Sequence, residues 1–151
     1  MDSTLYNILK HAHSGLRWVL LILLVLGIVR FFRKKANGNF ENSDKKIALF
    51  GLIFCHLQLL LGFAIYFIGD WPGKIAELGM GNKMARFFGM EHVLMMVIGI
   101  AFITFGYSTA KRMSDSKKKF GRLAWTYLIG LIIILSRIPW PFMSDLNASW
   151  F

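Results

Sequence analysis

The chain has 151 residues, 56% of them hydrophobic, with a formal net charge of +10 and a mean hydropathy of +0.52. A soluble fold of this length could not hide that much apolar surface, so a single integral-membrane domain over 1–151 is expected. The basic residues stand in short clusters between apolar runs, a pattern that orients membrane segments and argues against nucleic acid as a partner.

The first apolar run, at about 12–32, lies within "LKHAHSGLRWVLLILLVLGIVRFF". It is too long for a signal core, is followed by Arg and Lys, and has no small-residue cleavage site, so it reads as a retained helix. The loop after it carries Arg30, Arg33, Lys34, Lys35, Lys45 and Lys46, and its "NGNFENSD" has the turn chemistry of a connector. A second run follows at about 47–68 and contains Cys55, which reads as a small core residue. Its loop holds only Lys74, Lys83 and Arg86, diluted by Asp70 and Glu77. The third run spans about 87–109 and is followed by Lys111, Arg112, Lys117, Lys118, Lys119 and Arg122. The fourth covers about 122–140.

Each run is near the roughly 20 residues a helix needs to cross a bilayer. None shows the alternation of a membrane barrel, and helix is the remaining way to satisfy a backbone in lipid. The bias of basic residues puts the first and third loops in the cytoplasm and both termini outside. Trp71, Trp140 and Trp150 then fall near the outer boundary as an aromatic belt. The expected fold is an all-α membrane protein, a four-transmembrane-helix bundle running up-down-up-down. No internal duplication is apparent.

Histidines occur on three of the four helices: His11 and His13, His56, and His92. One such residue can simply hydrogen-bond a neighbouring helix, but ionisable groups in a membrane usually mark a function. Histidine is also the usual axial ligand of haem, and bundle cores hold such cofactors. At 1.5 Å per residue, His13 stands roughly 28 Å from the cytoplasmic end of its helix, His92 roughly 25 Å and His56 roughly 13 Å. Two ligands of one iron must share a height, so His13 and His92 are the first choice of metal ligands. His56 and His11 are alternatives.

Steps of seven from His92 reach Gly99 and Gly106, a face where a flat macrocycle or another backbone can come close. Arg17 lies four residues from His13 on the same face. Arg137, on the face of Gly130 at the outer end of the fourth helix, stands at a similar height. Both arginines are candidates for haem propionates, snorkelling being the plainer reading for Arg137 more than for Arg17. Glu91 can orient a histidine, handle quinol protons or pair with Arg86. Gln58 and Gly62 share a face of the second helix, with His56 about 160° away. Met90, Met95 and Met96 read as packing.

"HAHSGLRW" resembles the H-x-x-x-G-[IL]-R pattern of the cytochrome b anchor subunits of succinate dehydrogenases. His11, Gly15 and Arg17 match it, which implies His11 as haem ligand. Over the whole chain, "HSGLRW", "HLQLLLG" and "EHVLMM" resemble the small four-helix cytochrome b-like membrane proteins of bacteria. That resemblance implies a b-type haem held non-covalently, and no C-x-x-C-H attachment motif is present.

The leading expectation is therefore a haem b cytochrome of the bacterial inner membrane, with one or two haems. It would pass electrons between quinol and a redox protein, beside partner subunits of a respiratory complex. A bound quinone rests on Glu91, Gln58 and Arg17. The rivals are a copper- or proton-handling membrane protein and a non-haem accessory or assembly subunit.

Overall fold

The structure, a computed structural model, describes residues 3–146, so Trp150 lies outside the described residues. Helix α1 spans Ser3–Lys34, α2 Asn42–Ile68, the short α3 Trp71–Leu78 and the single turn α4 Lys83–Arg86. A π-helical turn, Phe87–Glu91, leads into α5 (His92–Lys111), and α6 follows at Ser116–Ser136. Four helical stretches are long and apolar enough to cross a membrane: α1, α2, Lys83–Lys111 and α6. No strand occurs among the described residues. The chain is an all-α, multi-pass membrane bundle.

The apolar residues do not form a stripe. Leu26, Leu60, Phe105 and Ile132 are all more than half exposed on the bundle exterior, while Leu24, Phe31, Ile103 and Phe120 are fully buried. A helix that is apolar on every side belongs in lipid, where the outward face needs no water. Polar residues confirm the helix ends. Asp115 caps α6 by accepting a 2.6 Å hydrogen bond from the Lys118 N–H. Helix α6 stops at Ser136, short of the expected 140, because Pro139 and Pro141 cannot donate to a helical ladder.

The loop "NGNFENSD" is more than a connector. Glu41 and Asp44 form a capping box at the start of α2. The fully buried Asp44 carboxylate also accepts from Arg30 Nε at 2.6 Å and Lys34 Nζ at 2.8 Å, tying the end of α1 to the start of α2.

In cross-section the helices make a ring in which α1 touches α2 and α6, and α5 touches α2 and α6. The end carrying the first and third loops is solidly filled. There Tyr127 packs between Phe31 and Gly51, and its hydroxyl donates to Ala48 O at 2.8 Å, closing the α2–α6 diagonal. Helices α5 and α6 approach closest through glycines. A Cβ on Gly99 would stand 3.0 Å from Gly130 O and 2.9 Å from Ile134 Cγ1, and one on Gly130 would stand 2.8 Å from Gly99 O. Small residues at such crossings let backbones meet, and packing drives helix association in lipid.

Gly99→Leu should therefore force α5 from α6 and destabilise the detergent-solubilised protein by about 1–3 kcal/mol. Gly15, with nothing within 4 Å of its would-be Cβ, is the control. Thermal unfolding of Gly15→Ala should be unchanged or stabilised by up to about 1 kcal/mol.

Candidate functional site

The opposite end of the ring is hollow. A partly open cavity of ≈ 330 Å³ lies among all four spans, at the lower end of the size range of small-molecule sites. Its walls are mostly apolar, among them Leu20, Ile100, Ile134 and Ile138. Its polar lining comes from His13 and Arg17 of α1, Gln58 of α2 and His92 of α5, with Lys10 and Tyr66 also reaching it. Arg17 is only 8% exposed. An ionisable group that deep in a membrane protein marks a candidate functional site.

His13 and His92 meet across the α1–α5 diagonal, with ring centroids 6.3 Å apart and planes at 72°. Each ring is placed by a neighbouring element. His13 lies against Gly62 of α2, where a Cβ would stand 3.3 Å from its Cε1. Gln58, one turn earlier on α2, donates from Nε2 to His13 O at 2.9 Å. Among the described residues, the buried His13 Nδ1 and Gln58 Oε1 have no hydrogen-bond partner. Buried polar atoms of that kind call for an explanation such as a ligand or water.

His92 is held differently. Its Nδ1 donates to Arg137 O at 2.6 Å. A carbonyl only accepts, so Nδ1 carries the proton and Nε2 presents its lone pair. The carbonyl is available because its ladder partner four residues on would be Pro141, which has no N–H. The same logic holds two residues earlier. Pro139 leaves Leu135 O without a ladder donor, and Trp140 Nε1 supplies one at 3.1 Å.

The π-turn aims His92. The N–H of His92 bonds to Phe87 O, five residues back rather than four. The extra residue turns the following side chains about 100° from where an unbroken helix would point them. Tyr66 donates to Gly89 O at 2.9 Å inside this turn. A side chain at Gly89 would run into Ile75, so glycine lets α3 lie over the turn. Such π-turns recur at functional sites.

Several residues read from the sequence as binding groups stand elsewhere. Gly99 and Gly106 face α6 rather than the cavity. Gly99 meets the Gly130 backbone and a Cβ on Gly106 would collide with the Thr126 side chain, so no space for a macrocycle remains there. His56 is exposed on the bundle exterior, its Nδ1 donating to Leu52 O of its own helix at 2.9 Å. His11 and Gly15 are exposed too and do not line the cavity. Arg137 serves through its backbone. Its guanidinium turns to Glu91, which it meets at 3.4 Å and which Arg86 also holds at 2.9 Å. Gly62, which shares its helix face with Gln58, seats His13, and the "IPWP" that frees two carbonyls is a signal visible in the sequence.

Comparison with protein-family models, curated proteins and solved structures finds no match to this chain.

In protein labelled with ¹⁵N-histidine, the His92 resonances should show the Nδ1–H tautomer. Gly62→Leu should shift the His13 signals and cost about 1–3 kcal/mol of stability, as overpacking does, while His92 keeps its tautomer. An unmoved His13 spectrum would show that Gly62 does not seat the ring.

Proposed function

We propose that this chain is a haem b-binding cytochrome of the bacterial cytoplasmic membrane. It passes electrons between quinol and a redox protein as a subunit of a larger respiratory complex. The loops rich in Lys and Arg face the cytoplasm, which puts the cavity near the opposite leaflet.

One observation carries this reading: two imidazoles from different spans face each other at a cavity, 6.3 Å between ring centres. A metal held at about 2 Å by one nitrogen of each ring separates the ring centres by roughly 6 Å. His92 also has the partner typical of a ligating histidine, a carbonyl on its other nitrogen that fixes tautomer and orientation. Among the described residues, no group of three or more His, Cys, Asp or Glu side chains stands together as a metal site. Two protein donors are fewer than a bare zinc site employs, whereas haem would need only the His13 and His92 imidazoles from the chain.

When bound, haem supplies a one-electron iron couple. The residues around it have separate tasks. His13 and His92 hold the iron; Gly62 and the Arg137 carbonyl set their rings. Arg17 and Lys10 place positive charge on the cavity wall, suited to carboxylates such as propionates. The apolar wall keeps water out and so strengthens those interactions. Gln58, with its buried, unpartnered carbonyl oxygen, is the polar group best placed to bond a quinol.

A second reading, a copper site, draws on Met84 and Met96 in the same cavity wall, since thioether and imidazole suit Cu(I). Purification from haem-replete cells separates the two. The pyridine haemochrome assay should return b-type haem, and the reduced protein should show the sharp alpha band of six-coordinate low-spin iron. His13→Ala and His92→Ala should each abolish that band, and His56→Ala and His11→Ala should keep it. Stoichiometric copper without haem would transfer the site to the second reading. A colourless, metal-free protein would leave an accessory subunit.

A further inference from the structure

Twelve of the chain's eighteen Lys and Arg residues lie between Arg30 and Lys46 or between Lys111 and Arg122, against three acidic residues in the same segments. Two of those acids are spent: Asp44 and Glu41 face Arg30 and Lys34. The third, Asp115, caps α6 with one oxygen. On the seam between α1 and α6 the charges converge over a dent. Gly121 has no side chain, and Lys35 lies across it, its Cε and Nζ 3.3 and 3.8 Å from where a Cβ would stand. Lys117 and Lys118 precede Gly121 by four and three residues, hence on its face of α6, and both are exposed. Among the described residues, none of these three lysines has a carboxylate within ion-pair distance.

Beneath the lysines the seam turns aromatic. Trp125, one turn beyond Gly121 and 53% exposed, meets Phe32 of α1 edge-on with ring centroids 5.3 Å apart. Phe32 precedes Lys35 by three residues, so both fall on one face of α1. A cluster of ammonium groups above an exposed aromatic shelf matches a molecule with an anionic head and hydrocarbon tails.

We propose that this seam is a binding site for an anionic glycerophospholipid of the surrounding leaflet. The phosphodiester sits among Lys35, Lys117 and Lys118, and an acyl chain lies along Trp125 and Phe32. Basic residues at a membrane surface attract anionic lipid, at about 1 kcal/mol for each Lys or Arg. A zwitterionic lipid is disfavoured because its own ammonium faces the lysines. Nucleic acid and acidic proteins satisfy the charge and leave the aromatic shelf unused. The site is independent of what occupies the cavity at the other end.

The test titrates delipidated, detergent-solubilised protein with brominated-acyl phosphatidylglycerol or phosphatidylcholine and reads quenching of Trp125, isolated as the difference from Trp125→Phe. Phosphatidylglycerol should quench at about thirtyfold or more lower mole fraction, as expected if two or three lysines contribute. Combined Lys35→Gln, Lys117→Gln and Lys118→Gln should bring the two lipids level while far-UV circular dichroism stays unchanged. Equal quenching by both lipids in the unaltered chain overturns the proposal. So does a phosphatidylglycerol preference that survives the triple substitution in a folded protein. Displacement of the lipid by millimolar inorganic phosphate would also overturn it, by reducing the site to a simple phosphate contact.

Discussion

In hydrocarbon a carbonyl without a donor costs several kcal/mol, because no water can replace the missing bond. The end of α6 breaks its own ladder twice, at Pro139 and Pro141, and so exposes Leu135 O and Arg137 O to that cost. Both are repaired from side chains, one by the Trp140 indole and the other by the His92 imidazole. The second repair is the one the cavity depends on. It joins α5 to α6, fixes which nitrogen of His92 is protonated, and leaves the other with its lone pair.

The bundle divides its two jobs between its ends. At the basic end, Tyr127, Phe31 and Phe120 fill the core, Tyr127 spans the α2–α6 diagonal, and the buried Asp44 pins the first loop. At the other end a pair of rings meets across the α1–α5 diagonal, and space remains beside them. The glycine crossing of α5 and α6 lies between these regions. Its close approach holds the two helices together while their far ends frame a cavity, so rigidity in one half supports openness in the other.

Much of this could be read from the residues in order. Apolar run length set the four spans, and counting helical rise from the basic ends brought His13 and His92 to one level and set His56 apart. Depth was legible because it depends only on position along a helix. Facing was less so. Gly99 and Gly106 stand on the stripe of His92, yet the stripe turns onto α6, and which neighbour a glycine meets depends on packing that spacing does not encode. The π-turn before His92 changes the helical phase at the residue that matters most, and no local signal marks it. Arg137 was placed at the right height, but its guanidinium is taken by Glu91 and its carbonyl does the work, a backbone role that residue type cannot announce. The connector between α1 and α2 gave no local sign of its ion pairs, because Asp44 meets Arg30 and Lys34 from 14 and 10 residues away.

That the group orienting His92 belongs to the main chain has a practical meaning for anyone altering this protein. Every amino acid at position 137 brings the same oxygen, so replacing Arg137 leaves Glu91 to Arg86 alone and keeps the imidazole's anchor in place. The electrostatic clamp and the ring's orientation are thus separately addressable. The former yields to a side-chain exchange, whereas the latter yields only to rerouting the peptide, for instance by granting position 141 an amide hydrogen.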